Sequence, residues 1–394
     1  MLTAILDTLH YLYTSPSYAI ADWLINYSGG FVRRGLPGAF ILPASHLFHI
    51  PPAWMAAVIS VAIYIAFLCG VCRLAAPLRR DVLWYAMLFS PAALAFMITN
   101  PLNAVRKDVL VMAALTAVIL LMLRGLSGLK LSLVIALFFA ILVLSHDALY
   151  CCFPYFFAAA ALQRNSLKEA VKVTAGPFAL AAILIDIATH YPGNDLVAMA
   201  VCKSVGGRWI PVDDTNDLCS GAIKHLGWTF QKARLQELEN LHYWPLYTLL
   251  AVLSFAPFIA MLIVLWKRDG LCFQVKIISW IAAISAVSSL PLFYLTTDWG
   301  RWIHMQVICL MLVVLMAERL APTPQVRTVT MTKSSRPRQA VLAFVVFVYC
   351  VSWTLPVYAA FPARRGYLDV VRVLHHVLPF THRTEAQHPI DRGW

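Results

Sequence analysis

The sequence predicts an all-α fold, a polytopic transmembrane helical bundle of about 10–11 spans with short loops. Residues 1–394 form a single integral membrane domain. Three observations carry this. Hydrophobic residues make up 61% of the chain and charged ones 13%, about half the charged share of a soluble domain. Apolar runs of roughly 18–22 residues recur between short polar links, as spans of the bilayer core do. Lipid offers backbone groups no hydrogen bonds, so such runs close their own bonds as helices.

In chain order the runs fall at 52–74, 82–99, 108–124, 131–146, 148–163, 173–190, 243–266, 273–296, 302–318 and 340–361. The fourth and fifth meet at His146-Asp147 and read as a tight hairpin. Residues 1–27 are either an eleventh span or an interfacial helix beside a partly inserted stretch at 36–50. Gly29, Gly30, Gly35, Pro37 and Gly38 break any single helix there. Met1 to Gly30 lacks the basic start of a cleavable signal, and Asp7 and His10 interrupt its apolar stretch.

Orientation follows from alternate links. One set carries Arg79 and Arg80; Arg124 and Lys130; Arg164, Lys168 and Lys172; Lys267, Arg268 and Lys276; and Arg319 to Arg338. These short basic links read as cytoplasmic. The other side then holds the loop 191–242, in which a short helix fits at 223–240, and an interfacial tail over 362–394. That tail places the C-terminus outside. In it Tyr367, Val370, Val371, Leu374, Val377 and Leu378 recur at helical spacing. Cys202 and Cys219 stand apart from the other cysteines in the long loop and are the disulfide candidate for an oxidising compartment. The net charge of +12 is scattered over many links. That excludes a continuous nucleic-acid-binding patch and suits anionic membrane lipids or phosphates.

Four polar motifs fall on the outer side. The first runs from Asp22 to Gly35. Asp22 and Asn26 share a helix face at i,i+4, and Gly29-Gly30 precedes Arg33-Arg34, whose guanidinium forks match phosphate oxygens. The second, Asn100 to Asp108, packs Asn103, Arg106 and Lys107 against the helix start at Asp108. The third is His146-Asp147, either a proton-transfer pair or a solvated turn. In the fourth, Asp298 and Arg301 are one helical turn apart beside Trp299 and Trp302, which alone would read as ordinary interface aromatics. Each also has a plain reading as capping, lipid anchoring or a charge pair. Ionisable residues at a membrane edge nevertheless mark a site. Asp186 and His190 form an i,i+4 pair without a third metal ligand in sequence. The residues name no cofactor and no metal site, and a divalent ion stays open.

The hydropathy layout and the Gly-Gly-Phe-Val-Arg-Arg-Gly core of the first motif resemble bacterial proteins of exopolysaccharide and O-antigen assembly. These are the Wzy-type and EpsG-like polymerases and the wider GT-C type glycosyltransferases of lipid-linked sugars. The resemblance implies a catalytic acid in the first outer loop, at Asp22, and a substrate carried on polyprenyl phosphate. The chain departs from GT-C in lacking an unambiguous span before Asp22. It departs from many Wzy proteins in lacking a long loop between arginine-rich motifs.

The expectation is therefore a glycosyltransferase or repeat-unit polymerase at the outer face of a bacterial inner membrane. Its partners would be a lipid-linked oligosaccharide or lipid-phosphate sugar and polysaccharide export or assembly proteins. Arg33, Arg34, Arg106, Lys107 and Arg301, with Asn26 and Asn103, would hold the substrate. Asp22, Asp108, His146 with Asp147, or Asp298 would carry the proton transfer. Two other classes stay open. A flippase for a lipid-linked or anionic solute would use the same arginines but needs polar groups near span centres, where Ser90, Thr116, Ser279 and Ser285 are the main ones. A non-catalytic scaffold would tolerate alanine at the motifs.

Overall fold

The computed structural model describes residues 18–77, 82–100, 106–207, 218–228, 231, 234–235, 238, 241–267, 272–321 and 336–358. Among them the chain is helices and connecting segments, with no β-strand. The protein is an all-α polytopic bundle. The helices are α1 (Tyr18–Trp23), α2 (Leu36–Phe48), α3 (Pro52–Ala75), α4 (Val82–Leu88), α5 (Phe96–Thr99), α6 (Asp108–Leu123) and α7 (Gly128–Ser145). They continue with α8 (Phe153–Arg164), α9 (Leu167–His190), α10 (Asp195–Ser204), α11 (Trp244–Trp266), α12 (Cys272–Leu295), α13 (Trp299–Leu320) and α14 (Arg336–Val351).

Six described helices are long and apolar enough to cross a membrane: α3, α7, α9, the helix ending in α11, α12 and α13. Of the other expected runs, 108–124 and 148–163 are helical over nearly the expected bounds, though shorter than a full span, and two differ. The 82–99 run breaks at Ser90-Pro91, where the Ser90 hydroxyl accepts the Ala92 N–H (3.3 Å) and separates α4 from α5. The 108–124 run is a helix of 16 residues, and α8 is 12 residues behind a 3-10 stretch over Asp147–Cys152. Helix α14 stops at Val351, short of the expected 361. The short helix expected at 223–240 begins as a 3-10 turn over Lys224–Gly227, and Gln231, Arg234, Leu235 and Leu238, the residues described farther along it, are helical. The expected tail helix lies outside the described residues.

Burial sorts the helices into an axis and a ring. Every residue of α13 from Trp299 to Ala317 is buried. An all-round apolar helix belongs in the interior when neighbours surround it, and α13 packs on α3, α6, α8, α11 and α12. Helix α8 joins it through Ala158 to Ala161, all buried, whose small side chains let backbones approach. The ring shows apolar side chains outward, among them Leu133 and Leu137 of α7, Ile183 of α9, Trp280 of α12 and Phe344 of α14. These face lipid in a membrane protein.

After α14 the chain turns back over the start of α13. The Gly300 N–H donates to the Val357 carbonyl (3.0 Å), and the Tyr247 hydroxyl donates to the Pro356 carbonyl (3.2 Å). A Cβ on Gly300 would overlap the Pro356 carbonyl, so only glycine admits this return. The return delivers Tyr358 to the end of the bundle where α6 and α13 begin and α7 ends.

Candidate functional site

Helix α1 and the following loop bring the first motif into that end. The Gly38 face of α2 lies against the Ile25 carbonyl too closely for any Cβ, which folds α2 back on the loop. Arg34 takes the left-handed conformation (φ 67°), costly for a residue with a Cβ. Its backbone is held on both sides. The Arg33 N–H donates to the Tyr191 carbonyl (2.9 Å), and Lys107 Nζ donates to the Arg34 carbonyl (3.1 Å). Both guanidinium groups turn to Asp147, Arg34 Nε at 2.9 Å and Arg33 Nη1 at 3.4 Å.

The second and fourth motifs meet where α6 and α13 start side by side. Arg301 grips Asp108 with Nε and Nη2, the latter at 2.8 Å from Oδ1, and Asp298 with Nη1 at 2.6 Å. Arg106 Nη1 donates to the same Asp298 oxygen (2.8 Å), while Nη2 donates to the Tyr358 hydroxyl. The Arg106 guanidinium also lies 5.4 Å from the centre of the Tyr18 ring. Burial opposes the Asp298 charge, and Arg106 and Arg301 more than offset it, holding its carboxyl below the usual range.

The third motif joins the two halves. His146 Nδ1 is 3.4 Å from Asp147 Oδ1, and Nε2 is 3.0 Å from Arg301 Nη2. A guanidinium can only donate, so Nε2 accepts and the ring proton sits on Nδ1, facing Asp147. The Ala148 N–H, within reach of both Nδ1 and Asp147 Oδ1, then goes to the carboxylate (3.2 Å). Burial, with the nearby charge of Arg34, pushes His146 down to about 4. The ring is neutral at physiological pH and its lone pair is engaged. It orients Arg301 and Asp147.

Charge is nearly balanced. Arg33, Arg34, Arg106, Lys107 and Arg301 stand among Asp22, Asp108, Asp147 and Asp298, five cations to four carboxylates. The picture from sequence of a cationic patch with a few carboxylates becomes a paired network, because burying like charges without partners costs too much. The rim is more open: Arg33, Arg34 and Asp147 keep 30, 23 and 21% of their side chains exposed, against 6% or less for Arg106, Lys107, Asp108 and Arg301.

Asp22 differs from the other carboxylates. Its ionic contact is with Lys107 Nζ at 3.5 Å, and its buried Oδ1 receives no hydrogen bond. Burial raises its carboxyl, but Lys107 and Arg34 outweigh this and hold it below the ordinary value, so it is ionised. Burial pushes Lys107 down to about 8, with Asp22 partly restoring its charge. The Lys107 contact is to that same Oδ1, so the oxygen is ion-paired but accepts no hydrogen bond, and an ionised carboxylate in that state can take up a proton. The buried Arg33 Nε likewise lacks a partner, leaving a donor for a ligand oxygen.

Other residues singled out from sequence have different places. Asn26 spends its amide on structure: Nδ2 donates to the Leu24 carbonyl (3.0 Å) and Ser204 Oγ (2.9 Å), and Oδ1 accepts the Ser28 N–H (2.9 Å). Asn103 lies outside the described residues. Cys202 and Cys219 are joined as a disulfide, Cα atoms 5.4 Å apart. It ties α10 to the turn at Cys219–Ile223, which packs on α1. Trp299 and Trp302 are buried, which removes the plain reading as interface aromatics, and Trp302 Nε1 donates to Thr296 Oγ1 (2.6 Å). Asp186 and His190 are exposed, and among the described residues no three His, Cys, Asp or Glu side chains gather as a metal site.

Tyr18 and Tyr358 were not anticipated, since each is an unremarkable aromatic in sequence. Nor was Gln306. Its Oε1 accepts the Tyr155 and Ser285 hydroxyls (both 2.6 Å), and its Nε2 donates to Ser289 Oγ (2.6 Å). A glutamine inside an apolar run was the available signal. Comparison of the chain with family models, curated proteins and solved structures finds no match.

Proposed function

We propose that the chain is a membrane glycosyltransferase or repeat-unit polymerase acting on polyprenyl-phosphate-linked sugars, with Asp22 as the proton acceptor. The observation that carries this reading is the ionised, buried Asp22 whose Oδ1 has no hydrogen bond, beside a rim of arginines. In the reaction, an acceptor hydroxyl attacks the anomeric carbon and gives its proton to Asp22. The bond from that carbon to the phosphate oxygen breaks, and the electron pair leaves on the lipid phosphate. Arg33 and Arg34 take up that charge. They let go of Asp147 to do so, which the exposure of this pair allows. Arg301, Arg106, Asp108 and Asp298 form the frame beneath, and His146 orients it. The setting that fits is a bacterial inner membrane, with the site and the Cys202–Cys219 disulfide on the outer, oxidising side and anionic lipids around the basic links. Export or assembly proteins would take the product.

The flippase reading has one observation in its favour, the Gln306 network inside the bundle. Its hydrogen bonds are all made between helices, which suits packing better than a path. The test is surface-glycan chain length in a deletion strain complemented with Asp22→Asn. Short or absent glycan is expected at normal protein level. Unchanged glycan would sink the enzymatic reading, and lipid-linked units stranded on the inner leaflet would support transport.

A further inference from the structure

A lateral cleft lies directly beneath the ionic site. Helices α3 and α7 each pack on α6, and between them opens a cavity of about 340 Å3 floored by α6. Ile63 and Gly70 of α3, Ala113 and Ala117 of α6, and Phe138 and Ile141 of α7 line it. Helix α6 is otherwise a core helix. From Asp108 to Leu120 only Leu110, Ala113, Ala117 and Leu120 are not buried, one stripe at a spacing of three and four residues. That stripe faces the cleft, and its two alanines supply the depth. The stripe's first residue, Leu110, is one turn from Lys107, so the ionic cluster and the apolar cleft sit end to end on one helix. The stripe covers about 15 Å of helix rise.

Helix α2 completes the arrangement. It packs on both α3 and α7, bridging them at the outer end, and begins two residues after Arg34, whose carbonyl Lys107 holds. The cleft is thus apolar and open at its side, with cations beyond its outer end.

We propose that this cleft holds the hydrocarbon chain of the polyprenyl phosphate whose head reacts at Asp22. The proposal rests on the lipid-linked reading above and deepens it. A single chain is the occupant because the cleft lies between one pair of helices; a diacyl lipid brings two chains. The phosphate at the head of that chain lands next to Lys107 and Arg34, opposite in charge.

The test uses the full chain in lipid nanodiscs. A long-chain polyprenyl phosphate with a photoactivatable group on its chain is cross-linked, and the adduct is mapped by peptide mass spectrometry. Phosphatidylglycerol with the same group on an acyl chain is run in parallel. Adducts on α6 and α7 are expected with the polyprenyl probe, falling at least tenfold in Ala117→Trp, which fills the cleft. Ala113→Leu, a smaller intrusion, gives a partial loss and stands in if the tryptophan variant does not fold. Equal labelling of the cleft by phosphatidylglycerol, adducts mapped elsewhere, or labelling undiminished in the folded variants overturns the cleft assignment alone. No labelling by the polyprenyl probe at any position overturns the cleft and the lipid-linked reading together.

Discussion

Arg301 on α13 holds Asp108 on α6 through two of its nitrogens, with both side chains almost wholly buried. They are 193 positions apart in the chain, and the pair fastens the start of the axial helix to its neighbour. Breaking a buried pair from one side strands the other charge, at about 3–5 kcal/mol. Arg301→Met or Asp108→Leu alone should therefore lower thermal stability in detergent sharply. The double variant should recover much of the loss, since two apolar side chains leave no stranded charge. A double variant as unstable as the sum of the singles would refute the pairing as the cause.

Asp22 should behave differently. Asp22→Asn keeps the shape and removes the proposed proton acceptor, so product formation should fall about a hundredfold or more in the folded protein, and because it strands the buried Lys107 charge it should also lower thermal stability. Arg33→Ala, which removes the unpartnered Nε, should raise the apparent KM for the lipid-linked donor more than it lowers kcat. Measured rates with purified protein and a polyprenyl-linked donor decide both.

His146 sets a pH dependence. Its folded pKa, about 4, is below the ordinary 6.5. Between those values the unfolded chain binds the proton that the folded chain refuses, so stability falls as pH drops from 6.5 toward 4. The slope is at most about 1.4 kcal/mol per pH unit for one group. Melting curves across this window should show it, and His146→Gln should flatten it. An unchanged slope in that variant would assign the effect to other groups.

The Cys202–Cys219 disulfide closes a 17-residue separation and ties α10 to the turn resting on α1. Replacing both cysteines with serine should cost about 3 kcal/mol in the stability of that cap. Limited proteolysis should then cut residues 205–228 faster, and activity should fall although Asp22 is unchanged.

Gly300→Ala should be poorly tolerated, because its Cβ would collide with the Pro356 carbonyl and push the 353–358 return, with Tyr358, off Arg106. Loss of expression or a markedly lower melting temperature is the expected readout, while Gly176→Ala, where a Cβ meets nothing, should be neutral.

Apolar run length and the alternation of basic links were enough to read a polytopic helical protein, because lipid imposes both on any spanning chain. The four motifs were legible for the same reason: charges at span ends stand out against an apolar background. Their pairing was not. That Asp147 takes Arg33 and Arg34, Arg106 takes Asp298, and the buried Asp22 Oδ1 meets Lys107 without a hydrogen bond depends on contacts between residues far apart in the chain. The runs at 82–99 and 340–361 were read as longer helices than they form, for a related reason. Hydropathy reports apolar composition, and a helix buried by protein, such as α8, is as apolar as one facing lipid. Which apolar surface meets protein and which meets lipid is decided only when the helices pack, and so are the short breaks at Ser90-Pro91 and after Val351. Sequence alone thus determined the solvent, the helical class and the end of the bundle where charge gathers. Tertiary structure decided which charges neutralise one another, which of them stay open at the rim, and where an apolar cleft lies between the helices.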